Sequence, residues 1–61
     1  MKGSELKRML KKNNCILHHE GKRHEMWYSK TTGKCFPVPR HNAKEVPVGT
    51  LQSIMRDAGL E

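Results

Sequence analysis

Lys34-Cys35-Phe36-Pro37-Val38-Pro39-Arg40 is the stretch that decides how this chain folds. Phe36 and Val38 alternate with Cys35, Pro37 and Pro39, the period-two pattern of a strand with one apolar face. Pro37 and Pro39 lie two apart, so their missing N–H groups fall on the same side of that strand. That side cannot pair, which makes the strand an edge, joined to its neighbour through Phe36 and Val38. Just upstream, Thr31-Thr32-Gly33 is a hairpin signal with Gly33 expected at positive φ. The neighbour is therefore the preceding strand, Arg23 to Ser29. Cys15 to Glu20 reads as a further strand, linked to it by a tight connection at Gly21-Lys22. Three antiparallel strands in the order 1-2-3 follow, with the first strand as the opposite edge.

Helices flank this sheet in sequence. Gly3 to Asn13 reads as one, with Ser4 as N-cap, Glu5 in the first turn and Lys11 and Lys12 near the negative C-terminal end. A capping box fails in that register, because its acid would fall on Lys7. Leu6, Met9 and Leu10 form the inward stripe, and Asn13-Asn14 supplies a left-handed stop. After a polar loop, His41 to Val48, a second helix opens at Gly49 or Thr50. Its stripe is Leu51, Ile54, Met55 and Ala58, and Gly59-Leu60 fits a stop in which the residue after glycine packs back on the last turn. The expected fold is α+β, in the order α-β-β-β-α, with two helices on one face of the sheet. Double-stranded-RNA-binding domains share that order. Fold alone does not decide function.

The chain has 61 residues, enough for a single domain (residues 1–61) with one small core. A deep pocket for a small substrate is disfavoured by so few aromatic residues: Trp27, Tyr28 and Phe36 are all there are. A polymer lying across a surface is easier to accommodate. Twelve Lys and Arg against six Asp and Glu give a formal net charge of +6, which speaks about partners and not about fold. Nucleic acid is the first candidate partner and an acidic protein the second. No apolar run approaches the roughly 18 residues of a membrane span, so no membrane is expected and the cytoplasm is the default compartment. In that compartment Cys15 and Cys35 are expected to be reduced and buried.

Candidate chemistry centres on Gly21-Lys22-Arg23-His24. RNA cleavage needs a base for the 2′-hydroxyl proton, an acid for the leaving oxygen and cations to offset charge on the phosphorane. An imidazole beside Lys22 and Arg23 supplies one proton transfer and the charge, whereas a plain strand histidine would merely hydrogen-bond phosphate or backbone. His18 and His19 should point to opposite faces of the first strand. Either His19 or His41, which follows Arg40, could carry the second proton, though each reads more simply as an exposed polar residue. Tyr28 shares a strand face with His24 and Met26, and Trp27 faces the other way, where it reads either as core under the helices, the favoured reading, or as an anchor for a partner. A zinc set of Cys15-x2-His18 and Cys35-x5-His41 is disfavoured, because the spacing is loose and the cysteines fall on non-adjacent strands.

Gly-x-x-His on strand two, the run Val38-Pro39-Arg40-His41 and the end Gly49-Thr50-Leu51-Gln52-Ser53-Ile54-Met55-Arg56-Asp57-Ala58-Gly59-Leu60 together resemble the HicA toxins, the YcfA-like mRNA interferases of bacterial toxin–antitoxin pairs. The resemblance covers nearly the whole chain, from Ser4 to Leu60. It implies an endoribonuclease that cleaves mRNA with a single strand-two histidine, without metal or other cofactor, and that is silenced by a HicB-type antitoxin. The carry-over places that histidine on His24. Lys22, Arg23, Tyr28, Arg40 and His41 are the expected RNA contacts, Tyr28 by stacking a base. One departure stands out: the family often carries Gly-Ser-His-His where this chain has Gly21-Lys22-Arg23-His24, so a small hydroxyl is replaced by a cation. Two rival readings remain, a non-catalytic RNA-binding module of the same fold and an adaptor for an acidic protein.

Overall fold

The computed structural model describes residues 1–61. Helix α1 spans Gly3–Lys12, strands β1, β2 and β3 span Cys15–Glu20, His24–Ser29 and Cys35–Pro39, and helix α2 spans Val48–Ala58. The sheet is antiparallel in the order β1-β2-β3, as the two prolines require. Pro37 and Pro39 stand opposite Met26 and His24, and Phe36 and Val38 stand opposite Trp27 and Glu25.

Both helices cover one face of the sheet. The core between them is Leu6, Leu10, Cys15, Trp27, Phe36, Val38, Val46, Ile54 and Ala58, with Met9, Leu51 and Leu60 packed against it. Each large side chain placed there adds about 1.5–3 kcal/mol relative to leaving it in water. Trp27 is 2 % exposed, which settles it as core. Met26 and Tyr28, on the uncovered face, stay half-buried. Cys15 is buried as expected, but Cys35 is exposed: it alternates with Phe36 and so points to the uncovered face.

Three local expectations change. Helix α1 begins at Gly3, so Ser4 lies inside its first turn and caps nothing. Carbonyls from a distant loop do the capping: Gly3 N–H donates to Lys44 O and Ser4 N–H to Asn42 O, both at 3.0 Å. The shift brings Glu5 into place, and its carboxylate accepts the Lys2 N–H at 2.9 Å, which is half of a capping box. Helix α2 likewise starts at Val48, a residue or two early. The third change is in β1. Leu17 pairs with Trp27 but His19 pairs with Met26, leaving His18 as the extra residue of a β-bulge. The bulge overturns the opposite-face expectation for His18 and His19, whose Nδ1 atoms lie 2.7 Å apart in a hydrogen bond between the rings.

The stops behave as read. Asn14 has φ 63°, Gly33 φ 74° and Gly59 φ 79°. Past α2, Leu60 N–H donates to Met55 O at 2.9 Å and Gly59 N–H to Arg56 O at 3.2 Å, a paired arrangement that needs the left-handed residue glycine tolerates.

Ser29 ties the end of β2 to the end of α2. It is fully buried; its hydroxyl donates to Ala58 O at 3.0 Å and accepts Thr32 N–H at 3.2 Å. Ser29→Ala leaves both partners short of a bond, a loss of about 1–3 kcal/mol. Thermal unfolding should show it as a lower midpoint, by roughly 4–8 °C per kcal/mol in a domain of this size. Equal midpoints for Ser29→Ala and the exposed control Lys30→Ala would remove Ser29 from the stabilising contacts.

Candidate active site

His24 opens β2 and is exposed on the uncovered face of the sheet. The turn before it is tight. Gly21 N–H donates to His24 O at 2.8 Å, and a Cβ on Gly21 would stand 2.9 Å from that oxygen, so only glycine fits. Lys22 and Arg23 project from this turn, both exposed.

The turn is held from the other side by Arg40, just past the end of β3. Its Nη1 donates to Gly21 O at 3.0 Å and Lys22 O at 3.3 Å, and its Nη2 lies 3.5 Å from Glu20 Oε1. The segment that carries Arg40 is anchored in turn by Lys7 of α1. The Lys7 ammonium donates to Asn42 Oδ1 at 2.6 Å and Arg40 O at 3.3 Å, and pairs with Glu25 Oε2 at 3.1 Å. Glu25 also accepts the Trp27 indole N–H at 3.0 Å.

This arrangement gathers Lys22, Arg23, His24, Pro39, Arg40 and His41 around a depression of about 420 Å³ that contains no carboxylate. Of the expected site residues it thus brings together all but Tyr28. Tyr28 shares the face of His24 but lies four residues along the strand, about 13 Å away at strand rise, and lines no depression. His19 is also absent from the depression, which leaves His41 as the second imidazole beside His24.

A second groove, of about 510 Å³, begins where the first ends. His24 and Pro39 line both. Pro37, Pro47, Thr50, Ser53 and Asp57 continue it between the β3 edge and α2, over a floor of Phe36 and Ile54. Sequence reading missed this groove, because α2 lies more than twenty residues from the strand-two histidine and only packing brings them together. It also missed the Lys7–Glu25 pair, which no local pattern announces.

These features define a class: a small α-β-β-β-α domain that presents an imidazole within a cationic depression on the uncovered face of its sheet. The family model described as HicA toxin of bacterial toxin-antitoxin matches residues 3–60, and the chain belongs to that family. It is the toxin of a toxin–antitoxin pair, with an antitoxin as its partner. No curated protein and no solved structure shows significant similarity to it.

Glu25 gives the support of this site a pH signature. Burial pushes its carboxyl pKa up, but the hydrogen bonds from Trp27 and Lys7, with the positive fields of Lys7 and Arg40, outweigh that and hold it below the usual carboxylate value. The folded protein therefore releases this proton more readily than the unfolded chain does. The resulting stability is complete above the ordinary glutamate pKa of about 4.3 and is lost as pH falls through the lowered folded value. Glu25→Gln should destabilise the protein at pH 7 by about 1.5–3 kcal/mol, the usual worth of hydrogen bonds to charged groups. Its deficit should shrink towards pH 3. Denaturant unfolding at pH 7, 5 and 3 reads this directly, and parallel pH profiles for the two proteins would contradict it.

Proposed function

We propose that this toxin is a metal-independent endoribonuclease that cuts mRNA in the cytoplasm, with His24 as general acid or base, and that a HicB-type antitoxin silences it. The observation that carries the reading is the position of His24: an exposed imidazole at the start of a paired strand, inside the one depression where cations cluster without a carboxylate.

The chemistry follows from that setting. The 2′-oxygen of a ribose attacks the adjacent phosphorus as its proton leaves to a base. The bond from phosphorus to the 5′-oxygen breaks, and that oxygen takes a proton from an acid, leaving a 2′,3′-cyclic phosphate and a 5′-hydroxyl. His24 serves one of these transfers and His41, on the rim of the same depression, serves the other. Lys22 and Arg23 offset the charge that builds on the phosphorane. In place of the small hydroxyl frequent in the family, these two cations take the phosphate. Arg40 adds its charge while it holds the turn, and Tyr28 is assigned a more distant base contact.

His24→Ala should leave the fold intact, because an exposed side chain without hydrogen-bond partners contributes within about 0.5 kcal/mol. Cleavage of single-stranded RNA in EDTA should fall by about 10²–10⁴-fold, the worth of one general acid–base group. A folded His24→Ala protein that cuts as fast as the wild type would remove the histidine from the reaction. RNA that stays intact with the wild type while its mobility shifts would point instead to a non-catalytic RNA-binding module.

Lys22→Ala and Arg23→Ala should weaken RNA binding at every sequence alike, each lowering the slope of log affinity against log salt by about 0.7 for a single strand. Anisotropy titrations from low to moderate salt measure this. An unchanged slope in both variants would place the phosphate elsewhere.

A further inference from the structure

We propose that the groove between the β3 edge and α2 is a nucleobase subsite, and that it prefers guanine. The proposal rests on the ribonuclease reading and adds to it a base bound in the groove that leads away from the scissile phosphate, towards the hairpin end of α2.

The two depressions that meet at His24 and Pro39 divide the charge between them. One holds Lys22, Arg23 and Arg40 and no acid; the other holds Asp57 and no cation. A phosphate is favoured in the first and repelled from the second. An RNA strand that sets its phosphate at His24 must send a neighbouring sugar and base onward, and the second groove is continuous with the first. The walls suit a base. Pro37, Pro39 and Pro47 offer compact apolar ring faces without N–H groups, the floor is apolar, and Thr50, Ser53 and Asp57 line it with polar groups. Single-stranded RNA is read by bases splayed out of the strand, packed against side-chain faces and hydrogen-bonded on their edges. Here the proline rings supply apolar packing faces, while Thr50, Ser53 and Asp57 supply the edge contacts.

Asp57 supplies the selection. Its backbone carbonyl accepts the Thr32 hydroxyl at 2.6 Å, while its carboxylate has no hydrogen bond or ion pair within the protein. A carboxylate presents two acceptors side by side and no donor. Guanine alone offers two adjacent donors on its Watson–Crick edge, N1–H and N2–H. Uracil turns two carbonyl oxygens beside its single N–H, and adenine and cytosine each place an acceptor next to their amino group. The carboxylate therefore pairs with guanine through two bonds and meets at least one repulsive acceptor on each of the others.

The test uses His24→Ala, which holds RNA without cutting it, and four pentaribonucleotides identical except for the central base in an adenosine background. At one fixed salt concentration the guanine oligonucleotide should bind about tenfold more tightly than the other three, within the range for a bidentate base contact. Adding Asp57→Asn should bring the four affinities together and leave the salt slope unchanged, since an amide replaces one acceptor with a donor and touches no phosphate. Equal affinities in the parent, a preference that survives Asp57→Asn, or no binding of any of the four would each overturn the subsite. Cleavage assays keep the two ideas apart. Wild type that cuts RNA with no preference dependent on Asp57 sinks the subsite and spares the nuclease. Wild type that leaves RNA intact, while the Asp57-dependent guanine preference holds, does the reverse.

Discussion

The ammonium group of Lys7 holds the functional end of this molecule together. It has three N–H donors, and each meets an acceptor on a different stretch of chain: Glu25 in β2, the Arg40 carbonyl just past β3, and the Asn42 side chain in the loop. The Lys7 and Glu25 side chains are only 12 % and 15 % exposed, so the pair is shielded enough to matter and pays a desolvation penalty. Full use of the three donors, with the Trp27 indole on the second carboxylate oxygen, is what offsets that penalty. From Lys7 the constraint passes along the chain. The 40–42 segment is fixed against α1, Arg40 then grips the carbonyls of Gly21 and Lys22, and the turn so held presents Lys22, Arg23 and His24.

A chain of 61 residues cannot cover both faces of its sheet, and the distribution of apolar residues shows which face it covers. On β2 and β3 the large side chains Trp27, Phe36 and Val38 all turn towards the helices. The opposite face is left with His24, Met26, Tyr28, Cys35, Pro37 and Pro39, and with Ile16 from β1. That face is where a histidine can be held on a rigid strand and still meet solvent. Its edges are blunted by different means. Prolines deny β3 a ladder on its free side, and the His18 bulge interrupts β1.

Much of this was legible in the sequence because the deciding signals are local. The spacing of Pro37 and Pro39 fixes an edge, Asn14, Gly33 and Gly59 mark reversals, and two apolar stripes mark inward helix faces. What escaped depends on partners far away in the chain. The start of α1 is set by carbonyls of Asn42 and Lys44, so no reading of Ser4 and Lys7 alone could place it. The bulge at His18 is a mismatch between two strands and exists only once they pair. The same holds at the site: Gly21 to His24 announced themselves as a cluster, and Val38 to His41 as a motif, but the groove joining His24 to Asp57 is made by the packing of α2 on β3.

Arg40 shows how a residue can be right in place and different in work. The sequence sets it beside the cations, where it reads as a phosphate contact. In the structure its guanidinium is engaged with two backbone carbonyls of the turn and with Glu20. The Arg40–Glu20 pair is exposed, 42 % and 58 %, and pairs of that kind contribute little to stability. Its electrostatic consequence is larger, because Glu20 offsets part of the Arg40 charge at the rim of the depression. The positive potential there thus falls mainly to Lys22 and Arg23, whose side chains have no partner, while Arg40 keeps the turn that carries them in one geometry. Charge and rigidity are supplied by different residues, and the imidazole stands between them.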